Sequence, residues 1–287
     1  MEYITLRNGV DLPLVGFGTF QIKESGLCEQ CINDALNAGY RMFDTAASYQ
    51  NEKYIGQAIA SSEIPREEIF ITTKLWVQDT GYDNTLKAFE TSLKKLGLDY
   101  IDLYLIHQPF GDYYGAWRAM ERLYREGTVR AIGVSNFSPE RLVDLCMNHE
   151  IKPMVNQIEI HPFYQQGEAI KVMRDYGVIP QAWGPFSEAQ KDIFHHNTLG
   201  KIAKKHGKTT AQVILRWHYQ RGVSAIPKTV HNDHMEENLD IFDFVLTDRE
   251  MESITAMDIG HSEIIDHRCY CTARQLNSVK IHAQGVY

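Results

Sequence analysis

An unbroken alternation of short apolar runs with longer segments of helical period constrains this chain more than any other feature. Runs at 14–18, 42–44, 69–74, 101–107, 129–135, 154–159, 178–183 and 224–228 are rich in β-branched and apolar residues and are bounded like strands. The segments between them carry helix punctuation of their own. Leu86, Phe89, Leu93 and Leu96 fall on one helical face that Gly97 ends. Ser138-Pro139 places a cap before a proline at the first helical position, and Thr209 to Gln212 and Thr247 to Glu250 both fit a capping box. Strand, helix, strand without interruption requires parallel strands with right-handed crossovers, and eight such units close into a (β/α)₈ barrel. An open doubly wound sheet is the rival, but Gly16-Phe17-Gly18 lacks the third glycine of a dinucleotide fingerprint. Ahead of the repeat, Tyr3 to Leu6, Asn8-Gly9 and the run from Val10 read as an N-terminal β-hairpin, because Asn-Gly supplies the positive φ angles of a tight turn.

A chain of 287 residues fits one barrel, and the absence of any Gly-, Pro- or Ser-rich linker gives one domain over 1–287. Residues are 44% hydrophobic and 23% charged, in the ordinary globular range. A net charge of -8 with scattered Lys and Arg excludes the basic stripe that tracks nucleic acid. The polar start, with Glu2, Arg7 and Asn8, is unlike a secretory signal, and no apolar run reaches the roughly 18 residues of a membrane span, so a cytoplasmic protein is expected. The five cysteines lack partner histidines at zinc-like spacing and are expected to be reduced thiols, with Cys28 and Cys31 on an early helix.

In such a barrel, chemistry sits at the C-terminal ends of the strands. Polar residues that end apolar runs are few: Asp44, Lys74 and His107, with Tyr49 in the loop after Asp44. Their types point to proton donation by Tyr49. A phenol with a pKa near ~10 is a reluctant acid at neutral pH, and a nearby ammonium on Lys74 lowers that pKa. Asp44 keeps the lysine charged, and His107 orients a carbonyl oxygen or shares the proton. No metal is expected, since Lys74 would compete with a cation. A Schiff-base role for Lys74 would need a lowered lysine pKa, and an adjacent Asp44 raises it.

The chain resembles the aldo-keto reductases from near its start to near its end, especially bacterial members such as the diketogluconate reductases. The matching stretches are Gly16-Phe17-Gly18-Thr19, 39–46, Tyr49, 71–76, 102–107, 133–137, Asn156-Gln157 and 226–229. The family's Asp, Tyr, Lys, His tetrad falls on Asp44, Tyr49, Lys74 and His107 without substitution. With none of them lost, the resemblance implies an active enzyme and not a non-catalytic cofactor-binding relative. It implies that hydride passes from NADPH to a carbonyl carbon while Tyr49 protonates the oxygen. Gly18, Thr19 and Asp44 stand at cofactor contacts; Ser135, Asn136 and Gln157 match the carboxamide-binding residues; and Trp183 stands where an aromatic ring stacks on the nicotinamide. Lys228, Thr229 and Val230 resemble the adenosine-phosphate loop, with Glu237 and Asn238 at the adenine contacts.

Three positions depart from the family pattern. His234 stands where arginine is usual, and a neutral imidazole makes no bidentate, permanently charged contact with a phosphate, which leaves NADH open beside NADPH. Gly184 and Phe186 replace the usual serine and leucine and loosen the grip on the pyrophosphate. Phe20, Tyr49, Trp76 and His107 are expected to line the substrate pocket, with Trp117 nearby. The short connection from Gln108 to Tyr114 implies an open site and broad use of small aldehydes, α-dicarbonyls and ketones. The segment from Asp258 is expected to cover that pocket or to trail into solvent, and the resemblance implies a monomer.

Overall fold

The computed structural model describes residues 2–283; Met1 and 284–287 of the expected 1–287 unit lie outside the described residues. Strands β1 (Tyr3–Thr5) and β2 (Asp11–Pro13) pair antiparallel, and Gly9 takes the left-handed φ of 86° that the turn between them requires. The next eight strands are β3 (Phe17–Gly18), β4 (Met42–Asp44), β5 (Phe70–Leu75), β6 (Ile101–Ile106), β7 (Val129–Ser135), β8 (Val155–Glu159), β9 (Ile179–Trp183) and β10 (Ser224–Ala225). They form one parallel sheet in strict chain order from β3 to β10. A parallel bridge from Val15 to Ala225, with Gly16 N–H donating to the Ala225 carbonyl at 2.9 Å, joins the two edges and closes the barrel. The expected run 224–228 is shorter as a strand because Pro227 has no N–H to continue the ladder.

Helices alternate with these strands from Ser25–Ala38 onward, and their apolar faces bury the outer wall. Tyr82–Leu96 ends where Gly97 adopts a left-handed conformation and its N–H returns to Leu93 and Lys94 carbonyls. Both expected capping boxes form, at Thr209 with Gln212 and Thr247 with Glu250. Ser138 departs from expectation: its hydroxyl donates to Glu140 Oε1 at 2.5 Å instead of capping the backbone.

A second apolar cluster fills the barrel interior. Met42, Phe70, Leu103, Leu105, Ala131, Val155 and Ile226 pack there, and Leu6 and Leu12 of the hairpin close it from below. Asp102, near the start of β6, accepts hydrogen bonds from Arg66, Arg130 and the Ile71 N–H, which ties the lower rim together. The floor is therefore sealed, and only the mouth at the strand C-termini is open to chemistry.

The segment after Asp258 runs back over that mouth. Ser262 Oγ donates to the buried Glu159 at 2.6 Å, and the last helix, Tyr270–Ser278, brings Ala273 and Leu276 against Trp76, Val77 and Phe110. Trp76 Nε1 donates to the Val279 carbonyl at 2.9 Å. Of the two expectations for this segment, the structure has the cover. The expectation of five reduced thiols is corrected here, because Cys269 and Cys271 form a disulfide. Cys269 caps that helix in an extended conformation, so the chain turns between the two residues and leaves their Cα atoms 5.2 Å apart, within bridging range. Cys28, Cys31 and Cys146 are buried free thiols.

Candidate active site

Three neighbouring strand ends, β4 to β6, bring the expected tetrad to one place. Asp44 is the last residue of β4, Lys74 lies on the inner face of β5, and His107 directly follows β6. After Asp44 the chain makes one 3₁₀ turn, Ala47–Tyr49, and that turn carries Tyr49 back over the lysine. Asn51 fixes the geometry: it accepts from Thr45 Oγ1 at 2.6 Å and donates to the Thr19 and Ile22 carbonyls at 3.0 Å. The same clamp holds the loop bearing Phe20 beside the tyrosine.

Lys74 is wholly buried, and its Nζ donates to Asp44 Oδ1 at 2.5 Å, the Thr45 carbonyl at 2.9 Å and the Tyr49 hydroxyl at 3.4 Å. An ammonium has three hydrogens, and each has its acceptor. Burial lowers the Lys74 pKa overall; Asp44 raises it, as expected, but offsets only part of that cost. Burial likewise raises Asp44, offset by Lys74 and by the hydrogen bond from Gln157. The expectation that Lys74 depresses the Tyr49 pKa is also corrected. Burial, with the Asp44 charge adding to it, pushes the phenol well above its ordinary range, so Tyr49 rests protonated.

A buried polar relay supports this pair from beneath. Gln157 Nε2 donates at 2.8 Å to both Asp44 Oδ2 and Gln181 Oε1. Gln181 donates to Ser224 at 3.2 Å, and Ser224 to the Pro13 carbonyl of β2 at 3.0 Å. The relay links the mouth to the hairpin through the core. Gln181 was missed in the sequence, although a glutamine inside the apolar run 178–183 is a legible signal.

Aromatic rings surround the hydroxyl of Tyr49. Phe20 lies 5.0 Å from the Tyr49 ring, His107 lies 5.6 Å from it, and Trp76 lies 5.3 Å from His107, all between centroids. Burial, and then the Lys74 and His267 charges, hold His107 well below the ordinary histidine range, so its imidazole is neutral. Ser48, also missed in the sequence, approaches His107 Nδ1 at 3.3 Å. Trp117 does not belong to this pocket: it is buried in the outer wall, with Nε1 donating to the Ile151 carbonyl at 2.9 Å. The connection after His107 is short, and the last helix packs against its Phe110, so this side of the mouth is covered.

The expected cofactor residues lie along the same rim. Ser135 Oγ donates to the Gln157 carbonyl at 2.8 Å, Asn136 Nδ2 to the His107 carbonyl at 3.0 Å, and Trp183 Nε1 to Asn136 Oδ1 at 2.8 Å. Gln157 has its amide hydrogens turned to Asp44 and Gln181, so it offers a carboxamide only its oxygen. Thr19 Oγ1 donates to the Asp44 carbonyl at 2.8 Å. A Cβ on Gly18 would stand 2.8 Å from the Ile226 carbonyl oxygen, so only glycine lets β3 and the loop after β10 meet here. Gly184 has a left-handed φ of 57°, and the Phe186 ring lies 5.4 Å from that of Phe194, tilted against it.

Further out, Lys228 is exposed and has no hydrogen-bond or ion-pair partner among the described residues. Thr229 accepts from the His231 N–H at 3.1 Å, with Val230 half-buried between them. His231 and His234 are exposed with ring centroids 5.3 Å apart, Glu237 is half-buried, and Asn238 is buried. A cradle of close backbone at Gly18, an uncommitted ammonium and an aromatic ring at the mouth fit a nicotinamide dinucleotide. Among the described residues no cluster of His, Cys, Asp and Glu could hold a metal, and no helix is long and apolar enough to cross a membrane.

The model of the Aldo/keto reductase family matches residues 15–259. Glyoxal reductase of Bacillus subtilis (strain 168) is 46% identical over 258 residues, covering 90% of this chain and 93% of that protein. The crystal structure of an aldo-keto reductase from a Medee basin deep-sea metagenome library has a TM-score of 0.90 at 43% identity, covering 93% and 98% of the two chains. That of a Bombyx mori aldo-keto reductase in complex with NADP has a TM-score of 0.87 at 35% identity, covering 92% and 95%. Because the family match spans the barrel from its first strand to the segment over its mouth, the chain belongs to the aldo/keto reductase family of oxidoreductases.

Proposed function

We propose that this enzyme reduces small aldehydes, α-dicarbonyls and ketones to alcohols with NADPH, and that Asp44, Tyr49, Lys74 and His107 carry the chemistry. The observation that carries the reading is the buried Lys74, whose third hydrogen is directed at the Tyr49 hydroxyl after Asp44 and Thr45 have taken the other two. A reduced nicotinamide, when bound at this mouth, would supply hydride for the carbonyl carbon. Tyr49 gives its phenolic proton to the carbonyl oxygen, and Lys74 stabilises the phenolate as it forms. Because the resting phenol is protonated, the lysine acts on the developing charge and not on the resting acid. The neutral His107 donates a hydrogen bond to the same oxygen and sets its approach to Tyr49. A committed Lys74 ammonium is not the free amine that a Schiff base needs.

Phe20, Trp76, Tyr49 and His107 form a small aromatic wall with few polar demands, which favours many small carbonyls over one large one. Ser135, Asn136, Gln157 and Trp183 would hold the nicotinamide end of the cofactor. Gly18, Thr19, Gly184 and Phe186 would flank its middle, and Lys228, Thr229, Val230, His234, Glu237 and Asn238 its adenosine end. Lys228 favours a 2′-phosphate and thus NADPH; His234 in place of an arginine leaves NADH as a second cofactor. A monomer and a cytoplasmic location rest on the resemblance to the family: three buried free thiols fit a reducing compartment, and the Cys269–Cys271 bond does not.

The test follows the near-ultraviolet absorbance of NADPH and NADH with a reactive aromatic aldehyde, for wild type and Tyr49→Phe. Turnover in wild type that is nearly lost in the variant supports the reading. Binding of either cofactor without turnover would overturn it, and turnover confined to one bulky steroid-like ketone would overturn the substrate class.

A further inference from the structure

A single 3₁₀ turn, Ala47–Tyr49, places two neighbouring side chains on the mouth, and only the second has a role so far. Ser48 is half-buried, and its Oγ lies 3.3 Å from Nδ1 of His107, with no other hydrogen-bond partner among the described residues. His107 is otherwise held by its backbone, whose N–H donates to Leu75 and whose carbonyl accepts from Asn136. Its ring is packed edgewise between Tyr49 and Trp76. Among the described residues Nε2 has no hydrogen-bond partner. Packing thus fixes where the ring lies, but packing does not choose which nitrogen carries the hydrogen.

A neutral imidazole has one N–H, and the hydrogen bond made by one nitrogen decides which of the two it is. A carbonyl oxygen only accepts, so His107 can assist reduction through Nε2 only if Nε2 bears the hydrogen. We propose that Ser48 is a positioning residue: its hydroxyl donates to Nδ1 of His107 and holds the ring in the Nε2–H tautomer that serves the substrate oxygen. One turn then sets both groups at that oxygen, the proton donor Tyr49 directly and the hydrogen-bond donor through Ser48. The inference rests on the role proposed above for His107.

The test compares Ser48→Thr with Ser48→Val, side chains of nearly equal shape that differ in the hydroxyl. Protein labelled with ¹⁵N-histidine is observed by long-range proton–nitrogen correlation, with the His107 signals assigned by their loss in His107→Gln. Wild type and Ser48→Thr are expected to show Nε2–H. Ser48→Val is expected to show a mixture with Nδ1–H, and its kcat for a small aldehyde to fall about 3- to 10-fold with cofactor affinity unchanged, the size of one net hydrogen bond. Nδ1–H in wild type overturns the proposal, as does the same tautomer in both variants or a kcat that does not follow the tautomer. Should the valine variant fail to fold, Ser48→Ala takes its place under the same criteria. The tautomer is read without turnover, so an enzyme inactive toward carbonyls would refute the proposed function and leave the Ser48 contact separately decided.

Discussion

The rim of this barrel has two ends that are built in opposite ways. At the tetrad, Lys74 and Asp44 are buried, and each hydrogen of the ammonium has its acceptor before any substrate arrives. At the loop after β10, Lys228, His231 and His234 are exposed, and Lys228 makes no ion pair among the described residues. The first end is preorganised, and the cost of burying charge there is met by folding. The second leaves the Lys228 ammonium in water, where an arriving anion would displace that water without a geometry fixed beforehand. Substitutions at the first end should therefore change rate or stability, and those at the second should change which cofactor binds.

The largest expected effect is at Tyr49, the proposed proton donor. Tyr49→Phe should lower kcat by about 10²–10⁴ with NADPH affinity within twofold, measured by steady-state turnover and by fluorescence titration of the cofactor. An equal loss of cofactor affinity would erase the division between the two ends. Asp44→Leu leaves the Lys74 charge buried without its partner, and should destabilise the fold by about 3–5 kcal/mol in urea unfolding while abolishing activity. A stable, inactive variant would mean that Lys74 sheds its proton and that the pair is not a structural element. At the other end, His234→Arg should lower the KM for NADPH about tenfold, leaving kcat and the KM for NADH unchanged, because it adds a permanent, bidentate donor for a 2′-phosphate.

The smallest expected effect is an absence of change with pH. His107 is held well below the ordinary histidine range, so it stays neutral as pH falls through about 6.5, and Tyr49 is held above its ordinary range, so it stays protonated as pH rises past neutrality. The kcat for reduction should therefore show no step from His107 or Tyr49 near neutrality, and its alkaline fall should come first from Lys74, whose pKa burial lowers, before Tyr49 ionises. Stability should respond where kcat does not. The buried His218 is also held well below the ordinary range, so the unfolded chain takes up a proton first as pH falls below about 6.5, and the thermal midpoint should drop there.

What was legible in the sequence follows the same division. Strand ends such as Asp44, Lys74 and His107 stood out because a polar residue closing an apolar run has one structural meaning in a barrel. Strand bounds agreed closely where the ladder is long, as in β7, and less where Pro227 cuts it short. Ser48 and Asn51 were missed because a serine or asparagine in a turn is ordinary, and only the distances to His107 and to the Thr19 and Ile22 carbonyls make them significant. The Tyr49 pKa was misjudged because charge proximity can be inferred from residue types, whereas burial depends on the whole mouth. The Cys269–Cys271 bond and the seat of the last helix on Trp76 depend on one cap and one docking face, which spacing does not encode.

The barrel is closed by a bridge from Val15 to Ala225, and the loop of Lys228 to Val230 hangs from that seam, where Gly18 N–H meets the Pro227 carbonyl. Nearly the whole repeat separates the two sides of this joint in sequence, so it carries the largest loop-closure cost of the barrel's strand contacts. The first half of the chain carries Asp44, Tyr49, Lys74 and His107, but the far edge of the seam and the loop after β10 come from its second half. A dinucleotide held by that loop, as proposed, would bind the closed barrel alone. Dinucleotide in excess should trap the closed barrel over any open intermediate, making the supply of cofactor a determinant of how much of the new protein survives to the folded state.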